Sequence, residues 1–185
     1  MGLQGATRDL TDAELLLLGL VAEMPRHGYE LEQEIERRGM REWTQIGFSS
    51  VYFVLGKLEK SKLVRAKKPA GGRARKTFSP TARGRRALVA RTSAALRGYR
   101  PTYSSILLGM IHWPALEREE ALSALEARRA AVDAEVARLE DVRLERQPMP
   151  DHVEAIFDFS IDQLRAEAEW ITRTLEYMQT KPWPE

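Results

Sequence analysis

Apolar residues recur at helical spacing twice near the start of the chain, which predicts a first pair of helices. The first helix follows a capping pattern, Thr11 with Glu14, and should end at Met24 because proline follows it. The second should run from His27 to about Arg38, where a glycine follows.

A third helix is predicted to begin near Phe48–Ser50, where a serine can cap it. Its apolar members stand at helical spacing: Val51, Val54, Leu55 and Leu58. The pattern then changes to two short strands, Val64–Lys68 and Lys76–Ser79, joined by a turn rich in proline and glycine. Thr81 should cap a fourth helix that runs to about Leu96.

The second half of the chain has a different pattern, typical of long amphipathic helices. One heptad-like seam consists of Leu122, Leu125, Val132, Val136 and Leu139, and Arg129 interrupts it. A further helix should begin at Asp151, with an apolar seam at Leu164, Ala168, Ile171, Leu175 and Met178. These helices predict a helical hairpin or an intermolecular bundle.

Three helices followed by a two-stranded hairpin are the element order of a winged helix-turn-helix. We therefore expect a mainly α protein in two domains. Residues 8–98 should form a winged helix-turn-helix DNA-binding domain with a two-stranded β wing. Residues 99–185 should form a C-terminal α-helical dimerisation domain.

Charge is distributed unevenly along this plan. Residues 60–100 contain fourteen Lys and Arg residues and no Asp or Glu. Residues 1–100 hold 20 basic and 10 acidic side chains, whereas residues 101–185 hold 9 and 17. This asymmetry indicates a polyanion as the partner of the first half, with counterion release supplying affinity for phosphates. The basic candidates are Lys57, Lys60, Lys62, Lys67, Lys68, Arg73, Arg75, Lys76, Arg83, Arg85, Arg86 and Arg91.

Charge alone does not select a sequence, so base reading requires other side chains at the leading edge of the third helix. Gln45, Ser49, Ser50 and Tyr52 stand there. The alternative is that one of the serines only caps the helix and that Tyr52 only packs.

The chain offers no pattern typical of catalysis. It contains no cysteine, and its three histidines lie in separate segments. It has no phosphate-binding glycine loop and no nucleophile elbow. We expect no enzyme activity, no cofactor and no metal site. The longest apolar run is too short to cross a membrane, so we expect no membrane association and a cytoplasmic protein.

Four segments together resemble the PadR-like transcriptional regulators. They are residues 18–20 with 27–31, residues 50–59, residues 63–64, and residues 72–84. The resemblance covers about residues 12–90, and the remaining helices are similar to the longer subfamily with a helical C-terminal dimerisation module. It implies a homodimer, most often a repressor. It also implies DNA contacts at Tyr29, Ser50, Tyr52, Arg73, Arg75 and Lys76.

Two positions depart from the family pattern. Lys62 stands where the family usually has a glycine that ends the recognition helix, so it could add a phosphate contact. Phe53 replaces a frequent proline, which should leave the start of the helix more regular.

Aromatic residues suggest a second kind of site. PadR-like proteins often respond to phenolic acids or other flat molecules, so a pocket for a small planar or phenolic effector is one interpretation. Its candidates are Tyr99, Tyr103, Trp113 and Trp170. The alternative is that these residues only pack in the core or the dimer interface.

The combined prediction is a sequence-specific, ligand-responsive, homodimeric repressor that binds a palindromic operator in double-stranded DNA. Two alternatives stay open. One is a protein-interaction module built on a winged-helix scaffold. The other is a generic polyanion or RNA binder, although residues 60–100 offer few aromatics for stacking on single-stranded RNA.

Overall fold

A computed structural model of the chain describes residues 9–44, 46–47, 50–67, 75–99 and 101–183. The chain divides into two compact units, residues 1–100 and residues 101–185.

The described part of the first unit consists of four helices and three short strands around one apolar core. In chain order these are α1 (Asp12–Glu23), β1 (Arg26–His27), α2 (Gly28–Arg37), α3 (Ser50–Lys60), β2 (Val64–Lys67), β3 (Thr77–Pro80) and α4 (Ala82–Arg97). A 3₁₀ turn at Met40–Glu42 follows α2. The largest fully buried apolar side chains of this unit are Leu17, Leu18, Leu20, Leu31, Ile35, Leu55 and Leu58.

The predicted starts of α1 and α4 are confirmed. The Thr11 hydroxyl accepts a hydrogen bond from the Glu14 backbone N–H at 3.3 Å, and the Glu14 carboxylate accepts one from the Thr11 N–H at 2.9 Å. This capping box satisfies two backbone donors at the start of α1. Thr81 caps α4 through a single bond, because its hydroxyl accepts from the Gly84 N–H at 3.0 Å.

The sheet contains one strand more than the sequence predicted. β3 lies in the middle of the sheet and pairs antiparallel with β2 on one side and β1 on the other. Phe78 is aligned with both Ala66 and Arg26. β1 has only two residues, so it carries no alternating pattern that a sequence could show. Its effect is to join the wing to the segment between α1 and α2.

A buried arginine anchors that segment. Arg26 donates a hydrogen bond to the backbone carbonyl of Leu20 and lies 3.3 Å from Glu23 and 3.7 Å from Glu34. Glu34 is also bonded by Arg37, at 2.7 Å, and by Arg38. The hydrogen bond from Arg37, with a smaller contribution from Arg38, lowers the pKa of Glu34 to about 2.

α3 ends in a left-handed turn. Lys62 has a φ of 58°, which glycine adopts more readily than lysine does. The Lys62 N–H donates to the Glu59 carbonyl and the Leu63 N–H to the Leu58 carbonyl, both at 2.9 Å. These bonds satisfy carbonyl groups at the helix end.

The described part of the second unit consists of helices and the short segments that connect them. Its helices are α5 (Ser105–His112), α6 (Arg118–Glu145) and α7 (Asp151–Thr180), with a 3₁₀ turn at Trp113–Ala115. The predicted hairpin is α6 packed on α7, and α5 was not predicted. The buried residues of the hairpin are Ala121, Leu125, Val132, Leu139, Phe157, Ile161, Ala168, Ile171 and Met178.

Arg129 interrupts the apolar seam of α6 for a structural reason. Its guanidinium donates to the Ala168 carbonyl on α7 at 3.0 Å and to Asp133 on its own helix at 2.9 Å. The side chain therefore links the two long helices. Arg129 can occupy a position on the seam because its guanidinium N–H groups find hydrogen-bond acceptors on both helices.

Candidate nucleic-acid interface

Tyr29 and Arg75 lie in contact where α2 meets the wing. The guanidinium carbon of Arg75 is 5.1 Å from the centre of the Tyr29 ring, which is a cation–π contact. Tyr29 is held in the first turn of α2 by a capping box built on His27. The His27 Nδ1 atom accepts from the Glu30 N–H at 3.2 Å, and the Glu30 carboxylate accepts from the His27 N–H at 2.8 Å.

Tyr52 on α3 lies over Gly28, the residue that precedes Tyr29 in α2. A β-carbon added at position 28 would be 2.4 Å from Cε1 of the Tyr52 ring, so a side chain there would displace the ring. Tyr52 is nevertheless 59% exposed, so part of the side chain is accessible to a ligand. The first turn of α2 and the first turn of α3 are thereby joined through one aromatic side chain.

The remaining α3 candidates differ in their surroundings. Ser50 begins the helix and is half-buried, and its backbone N–H donates to the Gly47 carbonyl at 3.1 Å. Lys60 is exposed at the other end. Between them, the Lys57 ammonium lies 4.4 Å from the centre of the Phe53 ring.

The wing contributes two described lysines from the predicted set. Lys67 is exposed at the end of β2. The Lys76 ammonium lies 3.6 Å from a carboxylate oxygen of Glu59 on α3. An exposed pair of this kind stabilises a fold by only about 0–1 kcal/mol, so its main effect is to orient Lys76 towards α3.

Four predicted DNA-contacting residues, Gln45, Ser49, Lys68 and Arg73, lie outside the described residues. Their roles stay predictions. Glu59 was missed by the sequence reasoning, because its pairing with Lys76 depends on how the wing returns towards α3.

The predicted phosphate contacts on α4 fall into two groups. Arg83, Arg85 and Arg86 are exposed near its start. Arg91 is different, since its side chain is only 11% exposed and donates to the Leu10 carbonyl at 3.0 Å. It also pairs with Asp12 at 3.1 Å. Arg91 therefore anchors the start of α1, and this contact, which the sequence did not predict, leaves little of its side chain accessible to a phosphate.

The four candidate effector residues occupy different environments. Tyr99, in the first unit, is 91% exposed, and Tyr103 in the second unit is exposed as well. Trp113 and Trp170 both pack against the core of the second unit. The Trp113 ring lies 5.5 Å from that of Trp183, whose indole N–H donates to the Leu116 carbonyl at 3.1 Å. Trp113 and Trp170 therefore have the packing role that the sequence suggested as the alternative to effector binding.

The described residues contain no group of three or more His, Asp or Glu side chains placed to hold a metal ion. Among the helices in the described ranges, none has both the length and the apolar character needed to cross a membrane.

The three-helix core, the β3-centred wing and the surface formed by Tyr29, Tyr52 and Arg75 define a winged helix-turn-helix protein with a helical C-terminal module. Residues 17–90 match the model of the transcriptional regulator PadR-like family. The chain thus carries a PadR-like domain, as the motifs in its sequence predicted.

Solved structures with similar folds extend over both units. The PadR of Bacillus subtilis in complex with operator DNA is 16% identical with a TM-score of 0.71, and covers 89% of this chain and 98% of its own. The same protein in complex with p-coumaric acid is 16% identical with a TM-score of 0.74, covering 90% and 98%. A PadR-like regulator from Bacillus cereus is 17% identical with a TM-score of 0.65, covering 92% and 100%.

At these identities the structural matches establish the fold. No curated protein sequence matches the chain.

Proposed function

We propose that the protein is a sequence-specific regulator of transcription that binds double-stranded DNA. It acts as a ligand-responsive homodimeric repressor on a palindromic operator. The PadR-like domain at residues 17–90 and the similarity of fold to an operator-bound PadR support this function.

The observation that carries the proposal is the contact between Arg75 and Tyr29, together with the packing of Tyr52 on Gly28. These contacts bring the first turn of α2, the recognition helix α3 and the wing onto one surface. A guanidinium and two phenols at one surface can donate hydrogen bonds to phosphate oxygens and base edges. The absence of acidic residues from residues 60–100 leaves the sequence of the wing and α4 positively charged.

We assign residues 8–98 to DNA binding and residues 99–185 to dimerisation. Two-fold symmetry would present two α3 helices to successive major grooves, with half-sites about 34–36 Å apart. The apolar surface of α5 supports an interface in the second domain, because α5 contains no buried residue in the single chain. A helix of this kind requires a partner to cover it.

The effector is proposed to be a small planar phenolic compound. One structure of similar fold contains p-coumaric acid. The proposed contact residues are Tyr99, Tyr103, Trp113 and Trp170. An effector would act by favouring a dimer that does not fit its operator. Titration with p-coumaric acid, followed by tryptophan fluorescence and by release of labelled duplex, tests this part separately.

We assign the protein no catalytic activity, no cofactor and a cytoplasmic location. The family description is of transcriptional regulators.

The decisive experiment is a salt titration of binding to two duplexes. One is a duplex selected from a random-sequence pool, and the other is its scrambled counterpart. The expected result is tighter binding to the selected duplex, with both affinities falling steeply as salt rises. Equal affinities for both duplexes would instead identify a generic polyanion binder. If the protein binds neither duplex, the alternative function as a protein-interaction module is favoured instead.

A further inference from the structure

The recognition helix α3 exposes a large apolar side chain, Phe53, on the face opposite its buried side. The core-facing residues are Val51, Val54, Leu55 and Leu58. At 100° per residue, Phe53 and Lys60 lie on the other side of the helix. Phe53 is 64% exposed, although its neighbours along the chain include three buried residues. The packing of the first unit does not explain a phenylalanine at this position.

The surroundings of Phe53 indicate what covers it. The Lys57 ammonium lies 4.4 Å from the centre of its ring, and Lys60 is exposed one further turn along the helix. An apolar protein surface would have to desolvate these charges, which is costly. A nucleic acid supplies apolar groups and acceptor oxygens side by side.

A glycine next to this pair gives a second indication. A β-carbon added at Gly56 would meet no atom of the described residues within 4 Å, so their packing does not require a glycine there. Glycine weakens a helix interior relative to alanine. Gly56 stands one turn beyond Phe53, and its bare backbone lets another molecule approach α3 closely.

We propose that Phe53 reads a thymine in the major groove, with Lys57 held across its ring. The edge of the Phe53 ring contacts the C5-methyl group, and the Lys57 ammonium donates a hydrogen bond to O4 of the same base. Thymine alone presents a methyl group beside an acceptor in the major groove of B-DNA. This assignment rests on the proposed function, because it requires α3 to enter the groove.

The test replaces single thymines of the selected duplex by deoxyuridine, which removes only the methyl group. The full-length wild type should lose about fourfold in affinity at one thymine of each half-site, as expected for one methyl group returned to water. The Phe53→Ala variant should bind the unmodified duplex roughly five- to tenfold more weakly. It should not distinguish the deoxyuridine duplex from the thymine duplex at that position.

Lys60→Ala is the matched control, since it changes an exposed residue on the same helix face. It should weaken binding to all duplexes while keeping the fourfold preference for thymine. Circular dichroism should show that both variants melt as the wild type does, because both positions are exposed.

Two results would overturn the assignment. One is a wild type that is insensitive to deoxyuridine at every position of a duplex that it does select. The other is a Phe53→Ala variant that keeps the full preference for thymine. Failure of the proposed function looks different, because no duplex would then be selected over its scrambled counterpart.

Discussion

The ring of Tyr52 lies directly on the backbone of Gly28, so these two residues fix the spacing between the first turns of α2 and α3. The ring leaves no room for a side chain at position 28, although Tyr52 itself is largely exposed to solvent. The position of the Tyr52 hydroxyl therefore depends on the absence of a side chain at residue 28.

Gly28→Ala should alter DNA recognition more than stability. The added methyl group would displace the Tyr52 ring, which can rotate into solvent because it is exposed. We expect the free energy of unfolding to change by less than about 1 kcal/mol. The preference for the selected duplex over the scrambled one should fall about tenfold. Fluorescence anisotropy with both duplexes measures this.

Gly19→Ala is a suitable control for that experiment. A β-carbon at position 19 would meet only Leu88, at an ordinary 3.9 Å. This variant should keep the wild-type preference between the duplexes. A similar loss in both variants would contradict a specific role for the contact at Gly28.

Lys62→Gly should stabilise the protein. The residue has a φ of 58°, and an L-amino acid in that conformation costs about 1 kcal/mol more than glycine does. Urea unfolding should therefore show a gain of that order. Lys62→Ala removes the same charge but keeps the backbone strain, so it should give no such gain. Both variants should lower the salt dependence of DNA binding equally if the lysine contacts a phosphate.

Arg75→Ala should weaken binding to all duplexes by a similar factor. The guanidinium lies over the Tyr29 ring and belongs to the wing, not to α3, so we expect it to neutralise a phosphate rather than to read bases. The slope of log affinity against log salt should fall by about one. Arg97→Ala removes an equal charge from the far end of α4 and should leave the slope unchanged. A selective loss for one duplex would argue that Arg75 reads bases.

Glu34 should make the first unit sensitive to acid. Its pKa is lowered to about 2 by Arg37 and Arg38, below the ordinary value of 4.5 that it regains on unfolding. The ionised form therefore favours folding, fully above about pH 4.5 and progressively less as the pH falls towards 2. Thermal unfolding should show a falling midpoint over this window. Glu34→Gln should start from a lower midpoint at neutral pH and fall less steeply.

The helix starts could be predicted because their determinants are local. Thr11 with Glu14, and Thr81 before α4, are capping signals written within four residues. His27 caps α2 by the same geometry, but a histidine in that position is not a standard capping signal. The sequence therefore predicted the helix without its cap.

Features that depend on contacts between distant parts of the chain were harder to predict from the sequence. β1 exists because β3 returns alongside Arg26 and His27, and two residues cannot show a strand pattern. Residues 60–100, which contain no Asp or Glu, predicted phosphate contacts along their whole length. In the structure, however, Arg91 binds the Leu10 carbonyl and Asp12 at the start of α1. Phe53 was noticed only as a departure from the family pattern, since exposure cannot be measured from the sequence.

The short strand β1 also has a mechanical consequence. Because β3 is bonded to residues 26–27 on one side and to β2 on the other, the base of the wing cannot pivot without breaking main-chain hydrogen bonds. Tyr29 lies in the first turn of α2, which begins directly after that strand, so the wing base and the start of α2 must move as one body. A duplex whose groove does not match this body would have to bend or change its groove width, and the stiffness of its base-pair steps would then contribute to operator choice.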